Sequence, residues 1–186
     1  MLNVLKRGPQ VEPVSVAELK AHLRVNESDE TLLRTLISSA RMTVEAQAGL
    51  RLMTQSWLTL LTDWPPSELH LPHWPVQSIT RIRLLGPQPA LVDEAVWETQ
   101  LAARPARLYI DLTRAPRLLR ARHGIEIEQQ VGFGDAPSDV PENLRLAVLM
   151  LAGHWFDMDD FGQYRPENPM PKPVQQILAG ERKMRL

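Results

Sequence analysis

The chain contains no cysteine, which excludes disulfides and thiolate metal sites and is compatible with a reducing compartment. It also lacks a charge surplus: 21 basic and 22 acidic residues give a net charge of −1. A dedicated binder of DNA backbone would carry a basic excess, so that role is argued against, while a local basic patch is not. Nowhere do about 18 apolar residues follow one another, which removes a membrane-spanning helix. The opening MLNVLKRGPQ has no long apolar run and does not read as a signal peptide. The expected setting is therefore soluble and cytoplasmic. No catalytic signature appears either, so the expectation is a protein that is not an enzyme and needs no cofactor.

What is present is an ordinary globular composition over 186 residues, 44% hydrophobic and 23% charged, enough for one domain with a real core. Residues 1–14 read as an extended N-terminal arm, because Gly8-Pro9 and Pro13 block a helix. Residues 15–53 read as helical. Ser15 and Glu18 make a capping box for a short helix that ends near Arg24. Ser28 is placed as the cap of a longer one, whose Leu32, Leu33, Leu36, Ile37, Ala40, Val44 and Ala48 share a face and which Gly49 ends. Over 54–131 the period changes to two. Trp57 to Thr62, Val76 to Leu85, Leu108 to Leu112 and Ile125 to Val131 read as strands, and Leu91 to Trp97 as a weaker one. Alternation with charged residues marks an antiparallel sheet with one wet face.

The central stretch is residues 139–161. Asp139 is placed as N-cap with Glu142 completing a capping box, and Pro141 fits the first turn. From Leu144 to Ala152 only Arg145 is polar, so this helix is expected to be buried on several sides. Residues 162–186 read as a Pro-rich strap followed by a tail, in which Val174 to Ala179 can form a short helix and ERKMRL is basic and exposed. The expected fold is α+β: a helical bundle core of the two N-terminal helices and the central helix, with a small antiparallel β-sheet inserted and an extended C-terminal tail.

Several constellations invite a chemical reading, and each has a plainer one. His70 and His73 are three apart, but Pro72 between them forbids the helix that would aim both at one ion. His154 could be a general base, yet spacing suggests no nucleophile or carboxylate partner. Asp157, Asp159 and Asp160 lack the glycine and ligand spacing of a calcium loop. Val131-Gly-Phe-Gly134 precedes a helix without the rest of a phosphate-binding fingerprint, so a tight turn suffices. Arg114, Arg117, Arg120 and Arg122 form a basic run: a solvated face, a partner for acids across a subunit boundary, or a contact for nucleic acid.

The succession of Pro13 to Arg24, an acidic turn and a long helix, then Ala48 to Trp57, Leu71 to Ile79 and Gly132 to Trp155 is similar to head–tail connector (adaptor) proteins of tailed bacteriophages, with relatives in phage-like gene transfer agents. The resemblance implies a non-enzymatic ring of about twelve subunits at the head–tail junction of a virion or phage-like particle, assembled in the host cytoplasm. The ring would sit under the portal protein, meet a tail-side stopper or tail-terminator protein, and let DNA pass without sequence-specific binding. Within it, Arg114, Arg117, Arg120 and Arg122 are the expected subunit-interface partners of Asp157, Asp159 and Asp160 on a neighbour. Val174, Ile177 and Leu178, with Arg182, Lys183 and Arg185, are the expected portal-binding group. The alternative is a DNA-packaging accessory protein contacting nucleic acid through the arginine run.

Overall fold

The computed structural model describes residues 1–26, 28–66, 68–160 and 170–183, with backbone alone for 159, 160, 182 and 183. Among these residues the chain forms eight strands and four α-helices. It divides into two compact units, each assembled from two pieces of chain: unit 1 comprises 1–9 and 54–133, unit 2 comprises 10–53 and 134–186.

Unit 1 is a two-sheet β structure. A five-stranded antiparallel sheet runs in the order β1 (Leu2–Arg7), β2 (Gln55–Leu61), β8 (Ile125–Val131), β4 (Val76–Leu84), β5 (Ala90–Leu91). A three-stranded sheet has the order β3 (Glu68–His70), β7 (Arg107–Ile110), β6 (Trp97–Gln100). One face of the larger sheet carries Leu61, Val76, Ile82, Leu84, Ile125, Ile127 and Val131, which bury against Leu108 and Ile110 of the smaller. Register places the charged residues on the other face, opposite one another: Arg81 with Glu128 and Arg83 with Glu126. The period-two alternation of β4 and β8 is thus the physical origin of a sandwich with one dry and one charged face.

Unit 2 is helical: α1 (Val16–Leu23), α2 (Glu30–Ala48), α3 (Glu142–Asp160) and α4 (Lys172–Lys183). Ser15 caps α1 in the expected box, its hydroxyl accepting from the Glu18 N–H at 3.1 Å while Glu18 Oε2 accepts from the Ser15 N–H at 2.7 Å. Asp29, one residue beyond the expected Ser28, caps α2 by accepting from the Thr31 N–H at 2.8 Å. Gly49, with φ 65°, ends it. α3 buries Leu144, Ala147, Val148, Leu151 and Ala152, while Leu146 is exposed and Leu149 and Met150 are half-buried. One broad stripe is covered, not the whole circumference.

These observations correct the expected architecture. The helices are not a bundle core into which a small sheet is inserted; the β unit is a major part of the molecule with a core of its own. The arm contributes β1, and the segment read as one weak strand from Leu91 to Trp97 splits into β5, a 3₁₀ turn over Glu94–Val96 and the start of β6. Asp93 causes the break: its carboxylate accepts from the Ala95 N–H at 2.8 Å, a local turn that competes with the ladder. The extended tail is instead α4, which runs through Gly180 and buries Val174 and Leu178. Most of the Pro-rich strap lies outside the described residues. Asp139 sits in a 3₁₀ turn, where its carboxylate accepts from the Ala136 N–H at 2.9 Å, and α3 begins only at Glu142.

Candidate functional site

The basic run occupies the loop between β7 and β8, in unit 1. The loop is held by its apolar members: Ala115 and Leu118 pack on the sandwich core, and the Pro116 carbonyl accepts from the Trp64 indole N–H at 3.0 Å. Pinned there, it turns Arg114, Arg117, Arg120 and Arg122 outward. Arg114 donates to the Ala95 carbonyl at 2.9 Å. Arg117, Arg120 and Arg122 make no hydrogen bond or ion pair among the described residues. Between Asp111 and Glu126 the chain has no acid, so the loop is a local excess of positive charge on a nearly neutral protein.

Of the acids expected to complement it, Asp157 is exposed near the end of α3 in unit 2; the side chains of Asp159 and Asp160 lie outside the described residues. Asp157 borders a groove of about 350 Å³ that also receives His22 and His154. Gly153 keeps α1 close there, since a Cβ at that position would stand 3.1 Å from His22 Cδ2. Among the described residues, no hydroxyl, amine or thiol nucleophile lines this groove, and no group of three His, Asp or Glu able to hold a metal occurs. His70 and His73 do not converge: His70 is exposed and bonded to Glu68 at 2.9 Å, while His73 is buried with its ring 4.1 Å from that of Trp57. The glycine-rich turn is structural. Gly132 adopts φ 116°, open to glycine, and a Cβ on Gly134 would meet Asp139 Oδ2 at 2.1 Å.

In the expected portal-binding group, Val174 and Leu178 are buried within unit 2 and Ile177 is half-buried. The side chains of Arg182 and Lys183, and all of Arg185, lie outside the described residues. No described helix is long and apolar enough to cross a membrane.

Two charged clusters escaped the sequence reading. On the outer face of the large sheet, Glu128 takes Lys6 of β1 on one side and Arg81 of β4, at 2.7 Å, on the other. Burial pushes the Glu128 carboxyl up, but Lys6 and then Arg81 outweigh it and leave it below the usual range. The signal was available: Arg-Ile-Arg in β4 and Glu-Ile-Glu in β8 put like charges on one face of each strand. In unit 2, buried Arg41 meets Glu12 at 2.7 Å and Glu45 at 3.1 Å, and Glu45 also accepts from the Leu52 N–H at 2.9 Å. Their i, i+4 spacing beside the apolar face of α2 was the clue.

Nothing in either unit assembles a catalytic centre from described residues; what the chain offers is surface. No family model matches it, and no curated protein is similar to it. Its fold, however, is that of chains in solved phage-like particles. It superposes on a chain in the neck of an empty gene transfer agent particle, solved with C6 symmetry, with TM-score 0.80 and 23% identity, over 98% of this chain and 95% of that one. A chain in the virion of a native gene transfer agent particle gives TM-score 0.81 and 21% identity with the same coverage. A chain from the native neck with C12 symmetry gives 0.75 and 23%, over 96% and 94%.

Proposed function

We propose that this chain is a structural head–tail adaptor of a phage-like particle, one subunit of a ring at the head–tail junction that joins capsid to tail and leaves a channel for DNA. The observation that carries this reading is the likeness over nearly the whole of both chains to chains in the necks of gene transfer agent particles. A cyclic ring needs two unlike faces on every subunit. The arginine loop, whose Arg117, Arg120 and Arg122 have no partner among the described residues, supplies one such face, and the acids at the end of α3, Asp157 with Asp159 and Asp160, supply a complementary one. Rim ion pairs are individually weak and set register more than affinity. Portal binding is assigned to the C-terminal segment through Ile177 and the basic Arg182, Lys183 and Arg185, since Val174 and Leu178 serve their own unit.

Mass measurement of the purified protein, alone and with portal protein, tests the reading. The expected result is a closed ring of about twelve copies, as the C12 neck suggests. Reversing Arg117 and Arg120 to Glu is expected to loosen it more as salt falls, when like charges repel hardest. A ring unchanged at low salt removes the arginine loop from the interface. Arg117, Arg120 and Arg122, without partners among the described residues, also support a second reading, a packaging accessory that touches nucleic acid. A monomer that binds duplex DNA with steep salt dependence, lost in the same double variant, would favour it.

A further inference from the structure

Four of the ten exposed large apolar side chains among the described residues fall within the first five: Met1 is 65% exposed, Leu2 47%, Val4 41% and Leu5 48%. The last three belong to β1, the outermost strand of the five-stranded sheet. No β1 side chain is buried, and none enters the core of unit 1. On the side away from β2, β1 pairs with no strand among the described residues, leaving backbone N–H and C=O groups open along six residues. An open edge strand of that length is a template for pairing with another chain. Leu2 and Val4 lie on one face of it and Leu5 on the other, so exposed apolar side chains flank the open backbone on both sides.

The opposite edge of the same sheet is different. There β5 is only two residues long, and its Leu91 is 70% exposed, the most exposed of the large apolar side chains described. Two unlike apolar edges, at opposite sides of one sheet, are what a head-to-tail contact between identical subunits requires. Pairing of β1 with a second β1 would instead close a two-fold dimer, which cannot continue around a cyclic ring.

We infer that the β1 edge of one copy, through Leu2, Val4 and Leu5, docks on the β5 edge of the next copy around Leu91. This contact rests on the ring reading above and gives it a second, apolar subunit boundary, independent of the arginine loop.

The absence of cysteine makes a direct test possible. β1 and β5 are four strand spacings apart, roughly 19 Å, whereas a disulfide needs Cα atoms within about 7 Å. Val4→Cys and Leu91→Cys in one chain therefore cannot bridge internally. Mild oxidation of the assembled double variant is expected to give a ladder of covalent multimers on a non-reducing gel, which reduction collapses, while each single variant stays monomeric. A ring of wild-type mass that gives no ladder, even with a bis-maleimide linker, overturns the contact and leaves the ring standing. Dimers from Val4→Cys alone, or its cross-linking to a different particle protein, overturn it equally. Wild-type protein that never assembles overturns the ring reading, and this contact with it.

Discussion

The two units keep their charges in different places. In the β unit, Lys6, Arg81, Arg83, Glu126 and Glu128 lie on the outer face of a sheet whose inner face carries apolar side chains and the uncharged, hydrogen-bonded pair Gln129 and Thr59. The pleat separates the two sets, so the core carries no ionic group. In the helical unit, Arg41 and Glu45 are buried at the C-terminal end of α2, beside residues that pack inward. A helix has no second face in that sense: a residue one turn along from a core position is drawn into the interior with it. The same kind of ion pair therefore sets partly exposed cations over buried carboxylates in one unit and buries both partners in the other. Its removal should have correspondingly unequal consequences.

The largest effect is expected at Glu45. Truncation to Ala leaves Arg41 buried beside Glu12 alone and takes the acceptor from the Leu52 N–H. Removing one partner of a buried pair costs about 3–5 kcal/mol, read as a shift in urea midpoint with unchanged slope. Replacing both residues with apolar ones of similar volume, Arg41→Met with Glu45→Leu, should recover part of that loss, because the stranded Arg41 charge disappears, although Glu12 loses its partner, Arg51 the attraction of Glu45 and the Leu52 N–H its acceptor. A double variant as weak as Glu45→Ala would show that the Leu52 contact, not the ion pair, dominates.

A second, comparable pair of changes probes the cores. Leu108→Ala in the β unit and Leu151→Ala in α3 each remove a fully buried side chain and should cost about 2–5 kcal/mol. Leu149, half-buried, should tolerate Ala at a smaller cost. If the units unfold separately, tryptophan fluorescence will resolve two transitions, and each variant will move one of them. A single transition shifted equally by both would mean the units unfold as one cooperative block.

What could be read from the residues follows the same division. The α1 cap was legible because its chemistry is local: a hydroxyl and a carboxylate three residues apart satisfy each other whatever surrounds them. Asp29 and Ser28 are both competent caps, and only the backbone geometry selects Asp29. β4 and β8 were legible from alternation. β1 was not, since Leu2, Val4 and Leu5 break a period of two and the strand exists only through pairing with β2. The expected bundle failed for that reason: residues 1–9 and 54–133 form one unit through contacts distant in sequence. Candidate surfaces fared similarly. The arginine run was visible as composition, but that Arg117, Arg120 and Arg122 have no partner among the described residues is a three-dimensional fact. Val174 and Leu178 of α4 read as part of a surface for another protein, and both are buried within their own unit, while Ile177 is half-buried.

The smallest expected effect sharpens the comparison best, because it depends on pH instead of packing. Lys6 and Arg81 outweigh burial and hold the Glu128 carboxyl below its usual range in the folded chain. A carboxyl depressed by folding contributes stability that is fully present above its unfolded pKa, about 4.3, and is lost as pH falls through the lower folded value. Glu128→Gln should therefore be less stable than wild type near neutrality and converge with it in acid. The gap should also narrow with salt, since Lys6 and Arg81 are themselves partly exposed. Urea midpoints at a series of pH values measure this directly. A pH-independent gap would mean that Glu128 acts through hydrogen-bond geometry and not through its charge. The sheet's outer face would then resemble the buried contact in α2 more closely than its exposure suggests.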